Sequence, residues 1–137
     1  MDRSRAFDAH PSRLAEVRRF IGDCARGGPF EPVLDDLLIA VSEASANAVI
    51  HSGTREFRVT WHEDAASVAI SVVDDGIYGP VVEVPELDDT SHRGIQLMAQ
   101  TMSEITIRKG TPERMGTEVR LVRTVPAESN GSGERPR

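Results

Sequence analysis

The chain has 137 residues, 22 acidic against 16 basic, a formal net charge of −6 and a single cysteine. That is the size of one domain, large enough to bury roughly 70% of its unfolded surface without a disulfide or metal staple. The composition excludes a disordered chain, a collagen-like repeat and a disulfide scaffold, and the acidic balance argues against direct nucleic-acid binding. The lone Cys24 allows no intrachain disulfide and points to a reducing cytoplasm. The start carries no apolar stretch of the signal-peptide kind. The longest apolar run, Leu37–Val41, falls far short of the roughly 18 residues of a membrane span.

Residues 1–10 are polar and read as an arm or a short edge strand. Leu14, Val17, Phe20 and Ile21 recur at helical spacing and predict a helix over Ser12–Arg26, stopped by Gly27-Gly28-Pro29. A second helix is predicted from Pro32 to His51, with Leu34, Leu37, Leu38, Val41, Ser45 and Ala48 as its stripe. Arg55–His62 alternates, with Phe57, Val59 and Trp61 on one face. Ser67–Val73 is denser, and Val68, Ala69, Ile70, Val72 and Val73 read as a buried strand. From Asp74 to Arg93 the pattern breaks into a long loop with Gly76, Gly79, Pro80, Pro85 and several acids; loops of that length in small domains are usually functional. A third helix is predicted over about Gly94–Ser103, then a hairpin of Ile105–Arg108 and Thr117–Arg123. The tail over 124–137 is rich in Ser, Gly, Glu, Arg and Pro and reads as disordered. The order predicts an α+β two-layer sandwich, helices packed on one face of a mainly antiparallel sheet.

On a wheel turning about 100° per residue, Glu43, Asn47 and His51 make a polar line away from the apolar stripe. Their neighbours Ile39, Ala40, Ala46 and Ile50 are small or apolar. The line is either a solvated stripe or a surface that something packs against. Asp74-Asp75-Gly76 reads as a hairpin turn or as a binding motif. Ser91-His92-Arg93-Gly94 reads as a helix cap or as a phosphate site, and Met115-Gly116-Thr117 as a plain turn or as part of a site. No metal-ligand spacing, P-loop or nucleophile elbow is present.

In this order the four motifs resemble those of the Bergerat-fold ATPases, the superfamily of gyrase, heat-shock chaperones, mismatch-repair proteins and histidine kinases. Glu43 to His51 is similar to the N-box, Asp74-Asp75-Gly76 to the first glycine box, His92-Arg93-Gly94-Ile95 to the second, and Gly116-Thr117 to the last motif. Val41-Ser42-Glu43-Ala44 and the small single domain resemble the anti-sigma factors of the RsbW type, which are serine-protein kinases. The resemblance covers about residues 10–123 and implies a histidine-kinase-like ATPase domain over 11–123 with ATP and Mg²⁺ as cofactors. It implies Glu43 as catalytic base, Asn47 as the Mg²⁺ ligand, and Asp74 with Thr117 on the adenine. His51, Gly76, Arg93, Gly94 and Gly116 complete the ATP-binding set. It further implies a sigma factor and a STAS-domain anti-anti-sigma factor as partners, and a homodimer.

The pattern is departed from at two glycines, replaced by Tyr78 in the first box and His92 in the second. The stretch between Gly76 and Ser91 also holds no Lys or Arg. A regulator of the same fold that acts by protein contact alone is therefore the alternative to a kinase.

Overall fold

The computed structural model describes residues 2–51, 55–74, 96–111 and 114–124, the side chains of 50, 51 and 109–115 excepted. Of the predicted long loop only Asp74 falls within these residues, and the predicted tail beyond Thr124 lies outside them.

The polar N-terminus forms strand β1 (Asp2–Asp8). Its single buried side chain explains why it pairs: Phe7 stacks on Phe57 with 5.7 Å between centroids and meets Phe20 edge-on at 6.1 Å. Helix α1 (Leu14–Ala25) begins two residues later than predicted, because Pro11–Arg13 form a single 3-10 turn. His10 Nδ1 accepts from the Ser12 N–H at 3.1 Å and caps that turn. Gly27, at φ 75°, then takes the left-handed turn that ends a helix at least cost in glycine.

Helix α2 (Leu34–His51) follows another 3-10 turn, Glu31–Val33, built on Pro32. Asp35 and Asp36 in its first turn complement the positive end of the helix dipole. Leu37, Ala40, Val41, Ala44, Ser45 and Ala48 are buried, with Leu34 and Leu38 half-buried at the margin.

Strands β2 (Glu56–Glu63) and β3 (Ser67–Asp74) form a hairpin. Its turn is held by Asp64, whose Oδ1 accepts from the Ala66 and Ser67 N–H groups, both at 2.8 Å. A helix over residues 96–101, α3, precedes β4 (Glu104–Thr111) and β5 (Arg114–Thr124). The sheet runs β1-β2-β3-β5-β4, antiparallel at every pairing.

Register sets the core. Phe57, Val59 and Trp61 stand opposite Asp74, Val72 and Ile70, and the last two stand opposite Val119 and Leu121. This face meets the helices: α1 packs on β2, and α2 packs on β2, β3 and β5. Strand β3 turns Val68, Ile70 and Val72 to this face, all of them buried. Val73, predicted as buried, is 38% exposed, because the strand's alternation turns it to the face without helices. The fold is the predicted α+β layer. No helix among the described residues is long and apolar enough to cross a membrane.

Candidate functional site

Two groups of the predicted site residues lie within the described part of the chain. The first is on α2. Glu43 and Asn47 sit one turn apart, both half-buried, and Ala40 beside them is fully buried. The described part of the line, Glu43 and Asn47, is therefore neither fully solvated nor part of the core. Ile39, one turn before Glu43, is 41% exposed. Ser45, on the core side of the same helix, buries a hydroxyl that has no hydrogen-bond partner among the described residues.

The second group joins the ends of two central strands. Asp74 closes β3 and is buried. Its Oδ1 accepts from the backbone N–H of Thr117 at 3.2 Å. The residue before Thr117 makes this possible. Gly116 has φ 123°, a conformation that L side chains rarely adopt, and it lies inside β5 rather than in a turn before the strand. The regular β3–β5 register runs to Val73 opposite Glu118. Beyond it, a side-chain carboxylate takes over the role of the ladder. A carboxylate has about four acceptor positions, and the Thr117 N–H occupies one of those at Asp74.

Helix α2, which carries the first group, packs on β3 and β5, the strands that carry Asp74 and Thr117. Among the other predicted residues, His51 ends α2 with its side chain outside the described set, and Gly76, Arg93 and Gly94 lie outside the described residues altogether.

The donor set can be tested against the implied cation. Among the described residues no cluster of three or more His, Cys, Asp or Glu could hold a metal. Mg²⁺ seldom uses such a cage; it keeps waters and substrate phosphates and takes one or two protein oxygens. The amide oxygen of Asn47, a half-buried residue one turn from Glu43, fits a cation that arrives with phosphates, not one resident in the protein.

Sequence reasoning missed Asp36 and Arg123. Arg123 Nη1 donates to Asp36 Oδ2 at 2.7 Å and to the Thr101 carbonyl at 2.6 Å. The available signal was the spacing of seven from Asp36 to Glu43, which is two helical turns and one shared face.

The sequence model of a family described as the histidine kinase-like ATPase domain matches residues 7–123. A comparison with curated proteins gave no match. Among solved structures the chain is similar to that of the RsbU and RsbW domains of Rv1364c from Mycobacterium tuberculosis, with a TM-score of 0.68 and 20% sequence identity. That likeness covers all of this chain but 35% of the solved one, so the chain spans about a third of its neighbour's length. At that identity the likeness is one of fold.

Proposed function

Since the chain belongs to the histidine kinase-like ATPase domain family, we propose that it binds Mg-ATP at the α2–β3–β5 contact and transfers the γ-phosphoryl group to a serine of a protein partner. The observation that carries this reading is the buried Asp74 carboxylate, oriented by the Thr117 N–H behind a glycine that only a special backbone position requires. A buried, pre-oriented acceptor of this kind suits the exocyclic amine of adenine. Gly76 would let the base lie close to backbone.

Asn47 supplies a neutral oxygen to Mg²⁺, which neutralises charge on the phosphates when bound. Glu43, one turn earlier, takes the proton of the serine hydroxyl. The serine oxygen forms its bond to the γ-phosphorus as the bond to the bridging oxygen breaks, and ADP leaves. His51, Arg93 and Gly94 contribute to phosphate binding, with the backbone at Gly94 offering N–H donors.

In this reading the protein is an anti-sigma factor acting in the cytoplasm. It holds a sigma factor, and it phosphorylates a STAS-domain anti-anti-sigma factor to end that antagonist's competition. The RsbW domain named for the structural neighbour supports this direction, and a homodimer belongs to the same reading. The exposed Arg18 and Arg19 of α1, with Arg13, are its candidate partner contacts.

A second reading rests on Tyr78, His92 and the absence of Lys and Arg between Gly76 and Ser91. These weaken the grip on phosphate and favour regulation by contact alone. The deciding experiment is transfer of γ-labelled phosphate from ATP to STAS-domain proteins of the same genome. The kinase reading expects a labelled serine with the native protein and a loss of about 10²-fold or more with Glu43→Gln, nucleotide binding being retained. Transfer at the native rate by Glu43→Gln overturns the base assignment, and no transfer to any candidate favours the second reading.

A further inference from the structure

The Arg123 side chain lies where β5 passes beneath two helices. It pairs in register with Val68, whose side chain is buried on the helix side of the sheet, so Arg123 points to that side too. Only 21% of it is exposed. A single nitrogen, Nη1, reaches Asp36 Oδ2 in the first turn of α2 and the Thr101 carbonyl in the last turn of α3. The carbonyls of a last turn lack partners within their own helix and attract cations.

The chain after α3 is stapled separately. Ser103 N–H donates to the Val122 carbonyl at 2.7 Å, and Thr124 N–H to Ser103 Oγ at 3.0 Å. What Arg123 adds is the sideways tie from α3 to α2. That tie lands on the α2 face that carries Glu43 and Asn47, two turns from Glu43.

We infer that Arg123 is a positioning residue for the nucleotide: acting through Asp36 and the Thr101 carbonyl, it holds α3 at the spacing from α2 that Mg-ATP requires. The inference rests on the functional reading above and names a determinant of that site which makes no contact with the ligand. Loss of the tie lets α3 shift against the helix that bears the Mg²⁺ ligand. Affinity then falls although every residue of the site remains.

The test is calorimetric titration of Mg-ATP into the full chain with four variants. Arg123→Met keeps the apolar stem and deletes both bonds. Its affinity is expected to fall about tenfold, the equivalent of one charge-assisted hydrogen bond. Arg123→Lys is expected to recover much of that, because one ammonium with three donors can serve both acceptors. Asp36→Asn removes the charge, keeps the helix, and is expected to weaken binding in the same direction; it decides the matter should Arg123→Met not fold. Val17→Ala, a buried change on α1, lowers Tm without touching the tie, and its affinity is expected to stay within about twofold of native, as for independent sites. Binding by Arg123→Met and Asp36→Asn at native strength overturns the inference. So does an equal loss in Val17→Ala, or a Lys variant no better than Met, since either would mean general destabilisation. Failure of the native protein itself to bind Mg-ATP overturns both this inference and the functional reading.

Discussion

Gly116 shows how one residue joins two strand ends. Its φ of 123° turns the chain so that the Thr117 N–H meets Asp74 rather than continuing the ladder. A Cβ at this position is strained whatever space surrounds it. Gly116→Ala is expected to destabilise the fold by about 1–3 kcal/mol and to weaken nucleotide binding, because the carboxylate loses its fixed donor. Chemical denaturation with a parallel nucleotide titration reads both. A variant of unchanged stability would show that the backbone relaxes without cost. In the sequence, Gly116-Thr117 looked like a turn opening a strand; that the glycine lies within the strand follows from pairing with β4, which no local pattern displays.

At the scale of elements, helices and central strands were legible because each buries one face with its own period. The stripe of α2 and the alternation of β2 are direct examples. Strand β1 was ambiguous because it buries one side chain, Phe7, whose ring partners Phe20 and Phe57 lie on other elements. Val73 was misplaced because a dense apolar run does not say which of its residues faces the uncovered side of the sheet.

The β2–β3 hairpin carries a pH signature. The Ala66 and Ser67 N–H bonds hold the Asp64 carboxyl below its ordinary range. A depressed folded-state value means a contribution that is complete above the unfolded value, about 4, and lost as the pH falls through the folded one. Asparagine offers the same acceptor without titrating. The Tm advantage of the native protein over Asp64→Asn is therefore expected to shrink as the pH is lowered from neutral toward 3, in thermal scans across that range; an advantage independent of pH would remove the charge from the explanation.

At the scale of the whole molecule, the proposed function puts a negatively charged ligand on a protein of net charge −6. Long-range electrostatics give such a ligand no help, so in the proposed function short-range groups hold it: a cation at Asn47, the carboxylate of Asp74, and donors near Gly94. Asn47 and Asp74 stand out as candidates in the sequence, since an N-box spacing and an Asp-x-Gly motif are local. The tie from Arg123 to Asp36 spans 87 residues and joins β5 to α2 and α3, so only the folded chain reveals it. The central claim is that this α+β layer is a working Mg-ATP site in spite of its altered glycine boxes. Titration calorimetry of ATP with Mg²⁺ into the native protein and into Asn47→Ala tests it most directly. The account predicts binding by the native protein that Asn47→Ala abolishes; binding that survives Asn47→Ala, or none by the native protein at millimolar ATP, would contradict it.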